Sequence, residues 1–198
     1  MLRHERAWWK QGFESVAGVD EAGRGPLAGP VVAACVVLPR NAARRLSGLT
    51  DSKQLTALQR DRFFERIHEV ALAVGVAEAS PEEIDERNIL QATFLAMRRA
   101  IAQIGPVEVV LVDGNRAISE FTLPQETLVK GDARSLSIAA ASVVAKVTRD
   151  RALLALDAEF PAYGFSRHKG YPTPQHYAAL EVNGPCPHHR LTFLKRIL

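Results

Sequence analysis

Two apolar runs separated by a bend rich in glycine and proline constrain the fold of this chain more than any other feature. Residues 16–20 predict the start of a strand, and residues 31–38 (VVAACVVL) predict a second, buried strand. The bend between them, residues 23–30, contains three glycines and two prolines. The first part of the fold is therefore predicted to be a pair of strands joined through this bend.

Predicted helices and strands alternate after this pair. Thr56 and Gln59 form a capping-box pattern that starts a helix ending near Val70, and Ser80 with Glu83 starts another that continues to residue 104. The other predicted elements are a basic loop at 39–52, strands at 71–79, 107–112 and 126–129, and helices at 136–160, 173–184 and 188–198. This order predicts the α/β class, with a mixed sheet flanked by helices.

The composition, 47% hydrophobic and 24% charged, is typical of a soluble globular protein. The nearly uncharged stretch 25–39 is too short and too interrupted by proline and glycine to span a bilayer. The polar N-terminal residues are not followed by a signal-peptide core, and Cys35 and Cys186 provide no disulfide framework. We therefore expect a cytoplasmic protein without a membrane segment.

The positive charge is concentrated in the second half of the chain. The net charge is only +3, but residues 130–198 carry ten lysines and arginines against five acidic residues. Such an imbalance suits a phosphate-rich partner. It is equally compatible with an ordinary solvated surface, so charge alone does not decide between these interpretations.

Four carboxylates lie where predicted strands end or a helix begins. Asp20 and Glu21 close the first strand, Asp113 follows the strand at 107–112, and Asp132 precedes the long helix. Each has an ordinary interpretation: the first two as acids of an exposed turn, Asp113 as a turn residue, and Asp132 as a helix cap. Neighbouring strand residues point to opposite faces, so Asp20 and Glu21 reach one site only if the chain bends. The glycines that follow permit that bend.

These four acids converge if their strands are neighbours, because open sheets bind ligands at strand ends. A site made only of carboxylates suits Mg²⁺ or Mn²⁺. Two such ions are the usual apparatus for phosphodiester cleavage and require no protein nucleophile. We find no serine or cysteine triad pattern in the sequence. The acids therefore indicate metal-dependent chemistry on phosphodiesters.

Several motifs, in order along the chain, resemble those of the ribonuclease HII family, the type 2 ribonucleases H. They cover most of residues 18–177, and the segment 189–193 (HRLTF) also resembles the ending of the family. The matching segments are 18–31 (GVDEAGRGPLAGPV), 51–55 (DSKQL), 112–114 (VDG), 130–132 (KGD), 138–142 (IAAAS), 145–150 (AKVTRD), 163–165 (YGF) and 168–173 (HKGYPT).

The resemblance implies a ribonuclease H-like fold with a five-stranded mixed sheet. It implies a catalytic domain at 1–160 and a small helical part at 161–198 that completes the substrate site. The implied enzyme cleaves the RNA strand of RNA–DNA hybrids and nicks DNA duplexes 5′ to embedded ribonucleotides, leaving 3′-hydroxyl and 5′-phosphate ends. It acts as a monomer with two divalent ions, Mg²⁺ or Mn²⁺. The residues to which it assigns catalysis and metal binding are Asp20, Glu21, Asp113 and Asp132.

The resemblance also assigns the turn Gly23, Arg24 and Gly25, together with Tyr163, to recognition of the ribonucleotide. Glycines let a backbone approach a sugar closely, and main-chain groups can hydrogen-bond the 2′-hydroxyl that distinguishes RNA from DNA. We predict that Tyr163 stacks on the sugar flanking the cut, although a half-buried packing role is the commoner fate of a tyrosine. Arg24 has the alternative of pairing with an acid of its own turn.

Further residues are predicted to contact phosphate or to support the site. For any single lysine or arginine among them, a solvated surface position is the ordinary interpretation, and His168 has the alternative of packing. These residues are Lys53, Lys146, His168, Lys169 and Arg167.

Two other functions share some of these features. A DNA strand-transfer or junction-cleaving nuclease would use the same acids and metals, but its substrate would contain no ribose for the Gly-Arg-Gly turn to recognise. A non-catalytic binder of nucleic acid would gain nothing from acids that repel phosphate. A zinc site at Cys186, His188 and His189 is not expected, because zinc needs about four ligands at suitable spacing.

Overall fold

The structure is a computed structural model that describes residues 1–195. Within this range the elements lie in the following order: α1 (Arg3–Trp9), β1 (Val16–Ala22), β2 (Val31–Val37), α2 (Ala42–Arg45), α3 (Ala57–Val70), β3 (Ala73–Ala79), α4 (Pro81–Arg87), α5 (Ile89–Ala102), β4 (Val109–Asp113), β5 (Gln125–Leu128), α6 (Leu136–Glu159), α7 (Phe165–His168), α8 (Pro174–Asn183) and α9 (Leu191–Leu194).

The five strands form one mixed sheet in the order β3-β2-β1-β4-β5. β2 pairs antiparallel with both β1 and β3, whereas β4 is parallel to β1 and β5. The predicted five-stranded mixed sheet flanked by helices is confirmed. Because β1 and β4 are parallel neighbours, the carboxyl ends of both strands lie at the same edge of the sheet.

Helices cover the sheet on both faces, and glycines allow the closest approach. A Cβ at Gly18 would collide with the backbone of Ser137 and Ile138 in α6, and one at Gly75 would collide with the Ala100 carbonyl in α5. Buried alanines on α6, including Ala140, allow this long helix to pack closely on the same face. The buried β1 carries its polar residues only at its carboxyl end.

The sequence-predicted helix starts agree with the structure where local signals are strong. Capping boxes are formed at Thr56 with Gln59 and at Ser80 with Glu83. The predicted helix over 80–104 is interrupted at Asn88, whose φ of 70° ends α4. The Asn88 side chain accepts hydrogen bonds from the first amides of α5, so that one residue separates the two helices.

Three helices, α1, α2 and α7, were not predicted. α1 is held by Glu5, whose Oε1 accepts hydrogen bonds from the Ser135 hydroxyl at 2.7 Å and the Ser137 amide at 3.0 Å. These partners lie about 130 residues away in sequence, so no local pattern predicts the contact. α2 interrupts the predicted loop at 39–52.

The C-terminal helices pack against the bend between β1 and β2. Leu27, Ala28 and Leu153 share a buried cluster with Phe165 and Leu180. The predicted helix over 188–198 is shorter in the structure, as α9, and residues 196–198 lie outside the described residues. Among the described residues, no helix is long and apolar enough to cross a bilayer.

Candidate active site

Three of the predicted carboxylates line one cleft at the carboxyl edge of the sheet. Val19 on β1 is paired with Val112 on β4, so the next residues, Asp20 and Asp113, lie side by side. Both line a cleft of about 630 Å³, together with Glu21. The register of two parallel strands therefore brings together acids that are 93 residues apart in sequence.

Asp132 joins this group through the turn that precedes α6. It is buried in the short turn Gly131–Ala133, and the Gly131 amide donates a hydrogen bond to Asp113 Oδ1 at 2.7 Å. Burial, followed by the charges of Asp113 and Asp51, raises the pKa of Asp132. Asp132 thus lies within electrostatic reach of Asp113 but is not among the residues that line the cleft.

Negative charge is concentrated around Asp20, although four basic residues, Arg24, Lys53, Lys146 and Arg149, line the same cleft. Burial, and then Glu21 and Asp113, raise the pKa of Asp20 well above its ordinary value. Burial also raises the pKa of Glu21, although Arg24 acts in the opposite direction. Carboxylates that destabilise one another in this way are stabilised by a bound cation.

The donor chemistry at these acids fits hard divalent cations, because every side-chain donor is an oxygen. Within residues 1–195, however, no three histidine, cysteine or acidic side chains are already arranged to hold a metal ion. In this structure one oxygen of each of two acids has a partner in the protein: Glu21 Oε1 pairs with Arg24 at 3.2 Å, and Asp20 Oδ1 accepts the Glu21 amide at 2.7 Å.

The Gly-Arg-Gly turn forms one wall of the same cleft. Gly23 has a φ of 94°, and a Cβ there would collide with the Arg149 side chain. Arg24 is half exposed and pairs with Glu21, which is the local pairing left open by the sequence. Both glycines line the cleft next to the carboxylates, Gly25 as an exposed residue and Gly23 as a buried one.

The structure places only some of the predicted phosphate-contacting residues in the cleft. Lys53 and Lys146 line the cleft, Lys53 exposed and Lys146 paired with Asp150 at 2.7 Å. Lys169 does not line it, and its ammonium group donates to the Ser166 carbonyl. Arg167 is exposed on α7, beside a separate depression.

Tyr163 and His168 also lie outside the cleft. The Tyr163 ring is buried and stacks on Phe165 with centroids 5.4 Å apart, and its hydroxyl donates to the Gly184 carbonyl at 2.8 Å. His168 is buried and accepts the Gly170 amide at 3.2 Å. The structure does not bring either side chain to the carboxylates, and their contacts are those of packing residues.

A different tyrosine, Tyr171, lines the cleft. It is 42% exposed, and a Cβ at Gly25 would lie 3.9 Å from its ring. The guanidinium of Arg149 lies 6.0 Å from the ring centroid. Sequence reasoning did not predict that Tyr171 lines the cleft. The flanking Gly170 and Pro172 interrupt regular structure, however, and this pattern favours an exposed aromatic residue between them.

Three other cleft residues were not predicted as functional. The hydroxyls of Ser142 on α6 and Ser52 are hydrogen-bonded at 2.9 Å, and Ser142 acts to lower the pKa of Asp20 against the effect of burial. Arg149 lines the cleft from below the Gly-Arg-Gly turn. Both lie in the motif segments on α6, but serine and arginine there are ordinary helix residues without a local signal of function.

Comparison with known proteins agrees with this geometry. The family model described as Ribonuclease HII matches residues 17–197. A ribonuclease HII of Syntrophotalea carbinolica is 53% identical over 97% of this chain and 91% of its own length. The crystal structure of ribonuclease H2 from Pyrococcus horikoshii OT3 superposes with a TM-score of 0.79 at 30% identity, covering 93% of this chain and 97% of that one.

A more distant structure, Bst-RNase HIII in complex with Mn²⁺, shares the fold with a TM-score of 0.68 at 19% identity, covering 86% of this chain and 63% of that one. The family match spans the sheet, the carboxylates and the Gly-Arg-Gly turn. The chain therefore belongs to the ribonuclease HII family, metal-dependent endonucleases that hydrolyse the RNA strand of RNA–DNA hybrids.

Proposed function

We propose that this ribonuclease, in addition to hydrolysing RNA in RNA–DNA hybrids, nicks DNA duplexes 5′ to embedded ribonucleotides and leaves 3′-hydroxyl and 5′-phosphate ends. One observation carries the proposal: Asp20, Glu21 and Asp113 line the same cleft as the Gly-Arg-Gly turn. The turn that would recognise a single sugar therefore lies next to the carboxylates that would act at the neighbouring phosphate.

We infer that Asp20, Glu21, Asp113 and Asp132 hold Mg²⁺ or Mn²⁺, two ions during catalysis. The oxygen-only donor set and the negative charge concentrated around Asp20 support this, as does the Mn²⁺ complex of the related RNase HIII. Two bound ions supply activation of water and stabilisation of the leaving oxygen. The Gly131 amide orients the Asp113 carboxylate by hydrogen bonding, and Ser142 lines the same cleft as Asp20.

Recognition of the ribonucleotide is assigned to the Gly23-Arg24-Gly25 backbone. No acceptor among the described residues takes the amide protons of these three residues, so they remain available for the 2′-hydroxyl and the adjacent phosphate. A site built to bond a hydroxyl rejects a nucleotide without one, because its donors then stay unpaired.

Contact with the sugar on the far side of the cut is assigned to Tyr171 rather than to Tyr163. Its exposed ring beside Gly25 supports this assignment. A 2′-hydroxyl on this sugar would crowd the ring, so the Tyr171 contact favours a deoxyribose there. Together with the Gly-Arg-Gly turn, it therefore favours a ribonucleotide followed by a deoxyribonucleotide.

Contacts with the phosphates of the duplex backbone are assigned to Lys53 and Lys146, because both lysines line the cleft. The four carboxylates and the Gly-Arg-Gly turn come from a single chain, which supports a monomer as the active form. The two free, buried cysteines suit a reducing compartment such as the cytoplasm. We propose that residues 161–198 complete the substrate site, through Tyr171.

The experiment is cleavage of a DNA duplex that carries one ribonucleotide, in Mg²⁺, in Mn²⁺ and in a chelator. We expect one nick, 5′ to the ribonucleotide, only when a divalent metal is present. A matched all-DNA duplex is the control. Cleavage of continuous hybrid without nicking of the single-ribonucleotide duplex would contradict the finer proposal.

A further inference from the structure

Two fully buried arginines lie beneath the Gly-Arg-Gly turn, outside the groups used by the proposed function. Arg149 on α6 and Arg190, directly before α9, are 1% and 0% exposed. Arginine is almost never fully buried unless its charge is paired. No carboxylate among the described residues forms an ion pair with either side chain, so their burial requires another explanation.

Arg190 binds carbonyl groups along the whole turn. Its guanidinium donates five hydrogen bonds of 2.6–3.0 Å, and all of their acceptors lie about 165 residues earlier in the chain. These acceptors are the carbonyl oxygens of Gly23, Arg24, Pro26 and Gly29, the last accepting two of the bonds.

Arg149 supports the same segment from the α6 side. It donates to the carbonyls of Ala28, Pro30 and Lys169, each at 3.1 Å. Its side chain occupies the space where a Cβ at Gly23 would lie, and its guanidinium lies below the Tyr171 ring. Arg149 therefore contacts both walls of the proposed ribonucleotide site.

The two arginines determine which backbone groups of the turn remain free. A turn has amide donors and carbonyl acceptors, and the carbonyls of Gly23 and Arg24 are both bound by Arg190. The amides of Gly23, Arg24 and Gly25 have no acceptor within residues 1–195. Arg190 therefore binds carbonyl acceptors of the turn, while the three amide donors have no partner in the part of the chain that the structure describes.

Placing these two charges side by side is unfavourable for stability. Burial, and then the charge of Arg149, lower the pKa of Arg190 to about 9. Apolar side chains of similar volume commonly stabilise a core as well as a buried charged group does. Positions where a protein buries a charged residue instead of an apolar one are often functional.

We propose that Arg190, together with Arg149, is a positioning residue for ribonucleotide discrimination, which holds the Gly23–Gly25 amides toward the 2′-hydroxyl by binding the carbonyls of the turn. This inference rests on the proposed function. It differs from a purely structural role because it predicts loss of discrimination beyond any loss of stability.

The test uses Arg190→Lys, which keeps the charge but cannot reach four carbonyls. We expect kcat/KM on the single-ribonucleotide duplex to fall about tenfold or more, mainly in kcat. We also expect the preference in affinity for that duplex over matched all-DNA duplex, measured in an Asp113→Asn background, to fall about tenfold. Affinity for the all-DNA duplex should stay within about threefold.

Leu180→Ala is the matched control, because Leu180 is buried in the adjacent C-terminal cluster and its apolar side chain cannot hydrogen-bond the carbonyls of the turn. It should lower Tm and keep the preference for the ribonucleotide. Arg149→Lys, which leaves every Arg190 bond in place, should repeat the Arg190→Lys result with a smaller effect.

Unchanged discrimination in a folded Arg190→Lys variant would overturn the proposal, and so would a loss that Leu180→Ala reproduces at equal Tm. If neither arginine variant folds, the arginines serve folding and the positioning role is also overturned. Failure of the wild-type protein to nick the single-ribonucleotide duplex would instead count against the proposed function.

Discussion

The amide of Gly131 donates a 2.7 Å hydrogen bond to Oδ1 of Asp113. This bond joins the carboxyl end of β4 to the turn that carries Asp132 and leads into α6. It also directs one Asp113 oxygen toward the protein, which leaves the other oxygen for a ligand. Two acids of the proposed metal site are therefore held in place by one backbone contact.

We predict that Asp113→Asn abolishes cleavage while the fold is retained. The amide oxygen can still accept the Gly131 bond, but the lost charge weakens metal binding, so the rate in Mg²⁺ should fall about 100-fold or more. Tm should stay equal or rise, because the repulsion with Asp20 is relieved. Initial rates on an RNA–DNA hybrid and thermal melts provide the measurement.

Asp61→Asn is the control for that substitution, since Asp61 is exposed on α3 and forms a single ion pair within the described residues, with Arg151 at 3.8 Å. Its rate should match the wild type. A folded Asp113→Asn variant with near-wild-type rates would show that the metal site is assigned wrongly.

The two tyrosines should respond differently to substitution. Tyr171→Ala should slow nicking of a single-ribonucleotide duplex about tenfold or more beyond its effect on a continuous hybrid, because only the former presents a deoxyribose after the cut. The comparison is the ratio of initial rates on the two substrates. Equal losses on both would restrict Tyr171 to general binding.

Tyr163→Phe should leave that rate ratio unchanged. It removes the hydroxyl that donates to Gly184, and the free energy of unfolding should fall by about 1 kcal/mol. Urea unfolding measures this change. A selective loss of nicking in Tyr163→Ala, without loss in Tyr171→Ala, would instead support the sequence-based assignment of Tyr163 to the sugar.

Substrate binding should weaken steeply with salt. Each phosphate contact contributes roughly 0.9 to the slope of log affinity against log salt for duplex DNA, so Lys53→Ala should reduce the slope by about that amount. Lys10→Ala, which changes an exposed lysine before β1 begins, is the control with an unchanged slope. A flat response of the wild-type protein would remove the lysines from the binding argument.

Acid should destabilise the protein through a buried histidine cluster beside Arg190. His189 Nε2 lies 3.0 Å from His176 Nε2, and His176 stacks on His168. Burial, and then His176, lower the pKa of His189 to about 4. The unfolded chain, with a histidine pKa of about 6.5, therefore takes up this proton first as pH falls.

The stability contributed by neutral His189 is thus fully present above about pH 6.5 and is lost as pH falls toward 4, by roughly 3 kcal/mol in total. We expect His189→Gln to flatten this part of the stability curve, as measured by urea unfolding between pH 7.5 and 4.5. His68→Gln, at an exposed position on α3, should keep the wild-type curve. Parallel curves for His189→Gln and the wild type would contradict the prediction.

The sequence alone determined those features that depend on local physics. Buried β-branched runs predicted β2 and β4, and Thr56 and Ser80 marked helix starts, because capping and strand preferences act within a few residues. The four carboxylates were also predicted as one site, since each stands at the end of an element. Their motifs resembled one family throughout the chain, and the family match agrees with that resemblance.

Only the tertiary structure decided which residues face the cleft. Tyr163 and Tyr171 stand eight residues apart with similar local signals, yet packing against Phe165 buries the first and the turn at Gly25 leaves the second exposed. Arg190 has the sequence signature of a surface residue, but its five acceptors come from the far end of the chain. Long-range backbone contacts of this kind leave no local pattern, because their partners are chosen by the fold rather than by neighbouring residues.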